Sequence, residues 1–326
     1  MKRRFSNLLV AAAVLLTLNC AFAAEKKYLG KKVLFVNSYH KGYEWSDGEQ
    51  QSAQDILVSQ GVEFEAIYMD TKNNSTEEFK KQAGLRVKEY IDSFKPDVVI
   101  TSDDNAFQYA IMPYYRDSGL PVVFCGINWD VSIYGAPYEN TTGIIEAGLI
   151  GQLYNQLRKY AKGDKLGVIS LDVPDERKNT RFFDRHIPAS KISNIFVKDF
   201  QSWKDAFLRL QNSVDMIVFA SPEGISGWNR QEAVHFVYEH IRVPTGTGAV
   251  AMTPPALIGV IKLPHEQGEY AARTALRILD GEKPADIPIA FSKKGGLYVS
   301  LDLAGKLDIV LPPSMLRNAK VIIGLE

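Results

Sequence analysis

The sequence predicts an α/β protein made of two doubly wound parallel-sheet lobes, with a hinge and a cleft between them. Three observations lead there. β-rich apolar runs alternate with amphipathic stretches from Lys32 almost to the C-terminus, the pattern of parallel strands covered by helices on both faces. The alternation comes as two successive series, one before and one after about Gly143. The chain is also long enough, at 326 residues and 46% hydrophobic, to bury two cores of ordinary domain size.

The first 23 residues stand apart from this pattern. Met-Lys-Arg-Arg, an apolar run from Leu8 to Leu18 and then Ala21-Phe22-Ala23 give the charged, apolar and small-residue order of a secretory signal peptide, with cleavage expected after Ala23. The run is shorter than the roughly 20 apolar residues a bilayer span needs. Cys20 raises the question of a lipoprotein signal, but Asn19 replaces the small residue such a signal places before its cysteine. The expected location is therefore the periplasm.

In the first series, Lys32–Asn37 reads as a buried strand, Glu49–Ser59 as a helix, and Val62–Met69 as a strand with alternating faces. Ser75-Thr-Glu-Glu78 reads as a capping box opening a helix to about Phe94. Pro96 resets the chain into a strand at Asp97–Thr101, followed by a helix over about Ala106–Asp117 and a strand at Val122–Cys125. The second series gives a helix over Gln152–Lys162, strands at Lys165–Ser170, Ile195–Val197 and Asp215–Ala220, and helices near Trp203–Asn212 and Arg230–His240. A strong helix then runs from Pro264 to Gly281, and a strand-rich tail follows.

Composition narrows the partners. Removing residues 1–23 takes Lys2, Arg3 and Arg4, leaving 35 basic against 38 acidic residues, interleaved throughout. Nucleic-acid binding, which wants a clustered basic face, is not expected. The one remaining cysteine, Cys125, lies in an apolar run and reads as a buried small hydrophobe. His40, His186, His235, His240 and His265 lack metal-ligand spacing, and no cofactor is implied. Gly246-Thr-Gly-Ala-Val-Ala251 matches a dinucleotide pattern on paper, but Pro254-Pro255 blocks the helix that pattern must open. The chain has neither a GxSxG elbow nor a P-loop, and no catalytic residues are assigned.

In open parallel sheets, ligands sit beyond the carboxyl ends of the strands, where backbone amides converge. That rule selects Ser38, Tyr39 and Trp45 after the first strand, Ser102, Asp103 and Asp104 after Thr101, and Asn128 and Trp129 after Cys125. In the second series it selects Asp172, Ser221 and Glu223, and Glu146 joins them beside the change of lobe. Tyr39, Trp45 and Trp129 offer flat apolar area suited to an aromatic ring, a sugar face or a cationic head. Within Asp103-Asp104-Asn105, one side chain is expected to cap the next helix and a carboxylate to receive an ammonium or hydroxyl group.

The tail carries a resemblance. Ala275–Ile289 (ALRILDGEKPADIPI), Leu297–Ala304 (LYVSLDLA) and Leu311–Ala319 (LPPSMLRNA) resemble the C-terminal signature of ABC-transporter substrate-binding proteins of the tryptophan/tyrosine-binding type. Pro96–Thr101, Pro121–Phe124 and Thr142–Glu146 resemble that family's upstream landmarks in order and spacing. The resemblance implies a type I periplasmic-binding-protein fold whose chain crosses between lobes three times. We expect the crossings near Gly143, Val260 and Ile287, with lobes of residues 24–143 plus 261–286 and 144–260 plus 287–326. It further implies a monomer that captures a small molecule, an amino acid or similar polar or aromatic solute, for a membrane ABC permease. Asn37–Asp47 resembles a branch used in extracytoplasmic sensors, so a sensor kinase is the alternative partner.

Overall fold

A computed structural model describes residues 26–322; the signal-peptide reading falls outside them. Lobe 1 opens with β1 (Lys32–Asn37), α1 (Glu44–Ser59), β2 (Glu63–Tyr68), α2 (Glu77–Phe94) and β3 (Val98–Ser102). A helical turn at Asp103–Ala106 and a π-turn at Phe107–Ile111 lead on to β4 (Val122–Asn128) and β5 (Thr141–Glu146). Lobe 2 follows with α3 (Ile150–Leu157), β6 (Leu166–Leu171), α4 (Pro174–Phe182), β7 (Ile192–Val197), α5 (Phe200–Leu210) and β8 (Met216–Phe219). It continues through α6 (Arg230–His240), β9 (Thr245–Thr247) and β10 (Ile258–Lys262). The chain then returns to lobe 1 with α7 (Pro264–Leu279) and β11 (Ala290–Phe291), and ends in lobe 2 with β12 (Gly295–Ser300), α8 (Leu301–Lys306), α9 (Pro313–Asn318) and β13 (Ala319–Ile322).

One sheet is ordered β11-β5-β4-β3-β1-β2 and every pairing in it is parallel. The other is ordered β13-β12-β10-β9-β8-β6-β7 and is parallel except between β10 and β12. Two-residue alternation explains why both faces of the lobe 1 sheet are covered. Val33, Phe35, Val98 and Ile100 pack in one core with α7, whereas Leu34, Val36 and Val99 pack in another with Phe107 and Phe124. Cys125 is fully buried in the first of these cores.

The crossings lie a few residues later than expected. Gly143 sits inside β5, and the chain leaves lobe 1 after Glu146. Val260 sits inside β10, and the return follows Lys262. Ile287 precedes β11, which still pairs with β5, so the last crossing falls between Phe291 and Gly295. In each case a strand carries the backbone past the sequence landmark to the hinge.

Lobe 1 is closed by α7 lying on α1. Gly268 allows this approach, because a Cβ there would stand 1.9 Å from the carbonyl oxygen of Glu49 and 2.3 Å from Ser52 Oγ. The neighbouring Ala271, Ala272 and Ala275 keep the same face small. α1 thus has its register fixed over β1 and β3, and α1 carries two residues of the site.

Candidate ligand-binding cleft

The carboxyl ends of β1, β3 and β4 border a space of about 320 Å³ lined by Tyr39, Tyr43, Trp45, Asp103, Asn128 and Glu146. Lobe 2 lines its other side with Gly248, Val250, Ile261 and Lys262. A second space, about 250 Å³, shares Gly248 and Lys262 and continues along lobe 2 past Val168, Val218, Phe219 and Ser221, with Trp129 at its border. Both together follow the strand ends of both sheets.

Asp103 sits at the centre of the lobe 1 side. Its backbone takes φ of 71°, a left-handed conformation uncommon outside glycine, and its side chain is 6% exposed. Burial, reinforced by the neighbouring Asp104 charge, pushes its carboxyl up to about 7, against the opposing pull of a hydrogen bond from Tyr39. Burial and the Asp103 charge raise the Tyr39 phenol in turn, so the hydroxyl stays a donor. Tyr39 meets Tyr43 edge-on, with ring centroids 4.7 Å apart.

Beneath this surface lies Glu49 of α1, with no solvent exposure. Trp45 Nε1 donates to its carboxylate at 3.0 Å and the Ser102 hydroxyl donates to the other oxygen. Burial still holds the Glu49 carboxyl well above its ordinary range. Across the hinge, Lys262 forms an ion pair with Glu146, while its Nζ lies 5.4 Å from the centroid of the Trp45 ring. An ammonium group therefore sits between a carboxylate and an indole face.

The strand-end rule brings Tyr39, Trp45, Asp103, Asn128, Glu146, Trp129 and Ser221 to these spaces. Five others serve differently. Ser38 is fully buried: its hydroxyl donates to the Ser102 carbonyl at 2.6 Å and accepts the Ala106 amide at 2.7 Å, so Ser38 does the capping expected of the Asp103–Asn105 run. Ser102 is buried on Glu49. Asp104 turns away from the cleft and accepts from Asn128 Nδ2 and the Tyr134 hydroxyl, each at 2.7 Å. Asp172 pairs with Arg177 at 2.7 Å, and Glu223 is exposed on the loop beyond β8; neither lines the cleft.

Tyr43, Glu49, Gly248 and Lys262 escaped the strand-end rule. Two carried a signal: Lys262 ends an otherwise apolar run, and Glu49 falls on the apolar face of its helix with Ala53 and Leu57, four residues apart each time. Gly248 belongs to the glycine pattern set aside as a cofactor fingerprint. That pattern begins within a strand, β9, and the loop after it faces the cleft.

Two α/β lobes joined by three crossings, with a cleft at the facing strand ends, define the class of two-lobed solute-binding proteins. The chain belongs to the ABC transporter substrate binding protein family, whose pattern it matches over residues 51–323. No curated protein matches it. Among solved structures it is similar to a ligand-free, open substrate-binding protein with adhesive properties from Clostridium difficile, at 14% identity and a TM-score of 0.68, over 90% of this chain and 99% of that one. It is similar also to an ABC domain from Streptococcus pneumonia in complex with L-Trp, at 17% identity and a TM-score of 0.54, with the same coverage. A periplasmic ribose ABC transporter protein from Conexibacter woesei aligns at 13% identity and a TM-score of 0.55, over 86% of this chain and 95% of that one. At these identities the likeness speaks to the fold alone. Among the described residues no helix is long and apolar enough to cross a membrane.

Proposed function

We propose that this substrate-binding protein works in the periplasm, where it captures a small solute carrying an ammonium group beside a flat apolar portion, an amino acid or a close relative, and hands it to a membrane ABC permease. The observation that carries the ligand class is the position of Lys262 Nζ, held by the Glu146 carboxylate and over the Trp45 ring, a step from Asp103, Tyr39 and Tyr43. With Lys262 engaged by Glu146 and Trp45, the carboxylate that faces the space for a ligand's ammonium is Asp103, beside the Tyr39 and Tyr43 rings. A space of about 320 Å³ is within the range of small-molecule sites. Closure of the lobes about the crossings is what a permease would distinguish, through the differential stability of the closed form with ligand.

Thermal-shift screening of the mature protein against amino acids, polyamines, sugars and aromatic acids tests both parts. A ligand at 100 times its Kd stabilises by about 2.7 kcal/mol, which moves the melting temperature by several degrees. We expect hits among amines and none among neutral sugars. Hits confined to sugars would overturn the ligand class and leave capture standing; no hit in any class would overturn capture.

A further inference from the structure

A larger space, about 500 Å³, opens beside the first and third crossings and has no lining residue in common with the pocket of Asp103 and Glu146. Its apolar wall is a tier of aromatics. Trp129 of lobe 1 stacks on Phe182 of lobe 2 with centroids 4.9 Å apart and planes 14° from parallel, and the Arg185 guanidinium covers Phe182 at 4.6 Å. Phe291, 44% exposed on edge strand β11, faces the same space. Two glycines keep the floor open. A Cβ on Gly148 would stand 2.8 Å from the Trp129 ring, and one on Gly151 would stand 3.1 Å from the His186 ring.

The charge pattern of this space is the reverse of the cleft's. Arg185, His186 and Lys293 line it and, among the described residues, no carboxylate does. The crossing that presents Lys293 is fastened from both lobes. Glu266 accepts the Lys293 and Lys294 amides at 3.0 Å, and Gln152 Nε2 donates to the Lys293 carbonyl at 2.6 Å. The nearby Glu266 carboxylate is thus engaged with backbone.

We propose that this space is a second small-molecule site, adjoining the cleft at Trp129, Gly148 and Leu149 but apart from the pocket of Asp103 and Glu146, that takes a flat aromatic carboxylate. The ring lies against Trp129, Phe182 and Phe291, and the carboxylate meets Arg185 and Lys293, with His186 as a third donor. Apolar walls supply area, while the cationic rim supplies orientation and selects against neutral rings of the same shape. The proposal stands on this pocket alone and does not depend on the ligand class assigned to the cleft.

Calorimetric titration of the mature protein with indole-3-acetate, benzoate and phenylpyruvate, and with indole-3-acetamide as the neutral match of the first, tests it. The expected result is saturable 1:1 binding of at least one carboxylate, tenfold or more tighter than the amide where the pair is compared. Binding should weaken tenfold or more in the Arg185→Ala/Lys293→Ala double variant and stay within threefold in Asp103→Asn. If the double variant folds poorly, Lys293→Gln, on an exposed crossing, should still weaken binding threefold or more. No saturable binding of any carboxylate, equal binding of the amide, or a loss that follows Asp103 and not the cations would overturn the assignment.

Discussion

The two sides of the cleft are built from different material. Lobe 1 presents Tyr39, Trp45, Asp103, Asn128 and Glu146, and beneath them Glu49, Ser102 and Ser38 form a buried hydrogen-bonded layer. Lobe 2 presents mainly Val168, Val218, Phe219, Ala220, Ser221 and Gly248, with Glu176 and Asn179 of α4 at the margin. Backbone strain is divided in the same way. Asp103 at φ 71° and Trp129 at φ 61° both belong to lobe 1, and non-glycine residues in this region cost of order 1–3 kcal/mol each. Such costs persist where surrounding structure over-determines the residue, so lobe 1 is the half organised before a ligand arrives. In the proposed reading it orients the solute through charge and ring faces, and lobe 2 covers it with small apolar surface.

The largest effect should come from loosening what fixes the lobe 1 side. Gly268→Val would drive a side chain into the Glu49 carbonyl and separate α7 from α1, at a cost of about 3 kcal/mol or more, by overpacking that rigid backbone cannot relieve. Gly248→Ala in lobe 2, where the nearest atom to a Cβ is 4.0 Å away, should change stability by less than about 0.5 kcal/mol. Urea unfolding of both variants measures the difference, and equal losses would remove the asymmetry.

Next comes Asp103. Replacing a charged acceptor by Asn should weaken an amine ligand about 10- to 100-fold, as charge-assisted hydrogen bonds are worth about 1.5–3 kcal/mol, whereas Ser221→Ala should cost less than threefold. The acid also has a pH signature. Its folded value is raised from 3.8 to about 7, so the folded state holds the proton more tightly than the unfolded chain does. Its contribution to stability is therefore complete below about pH 4, declines as the pH rises toward 7, and is level above. Affinity for an amine runs the other way, rising toward pH 7 as the carboxylate forms. Unfolding and titration from pH 4.5 to 8 should show both slopes in the wild type; in Asp103→Asn the affinity slope should vanish and the stability slope should shrink to the part that the buried Glu49 carboxyl contributes. An amine affinity that falls with pH would sink the ammonium assignment.

The lobes were legible because most central strands are short apolar runs closed by a turn former and the helices between them are amphipathic: the strand Lys32–Asn37 and the helix Arg230–His240 have the predicted bounds. Several elements were not anticipated, β10 among them, which the sequence marks only as a crossing near Val260. α4 is too polar for its periodicity to stand out, β9 is a three-residue strand of Thr-Gly-Thr, and β5 was taken only as a landmark at the change of lobe. At the cleft, position along the chain found strand-end residues and could not find direction. Asp103 and Asp104 are neighbours of the same type, yet one faces the cleft and the other turns to Asn128 and Tyr134, because the left-handed backbone at Asp103 sets which way each points. Glu49 was out of reach of the rule altogether. It approaches the site from a helix, through packing that depends on Gly268, more than 200 residues later in the chain.

The smallest expected effect tests an aromatic stack between the two lobes. Phe182 of lobe 2 lies on Trp129 of lobe 1, so Phe182→Leu keeps apolar bulk and removes the face-to-face contact. Such a contact contributes about 0.5–1.5 kcal/mol beyond its area, and the variant should weaken a cleft ligand by about two- to tenfold. Neither lobe's own core includes the stack, so the stability of the ligand-free protein should hardly change. Calorimetry on the ligand found by screening reads the affinity, and small-angle scattering reads whether the bound form is less closed. A loss as large as that of Asp103→Asn would mean that lobe 2 recognises the solute as strongly as lobe 1, and the division between an orienting half and a covering half would have to be given up.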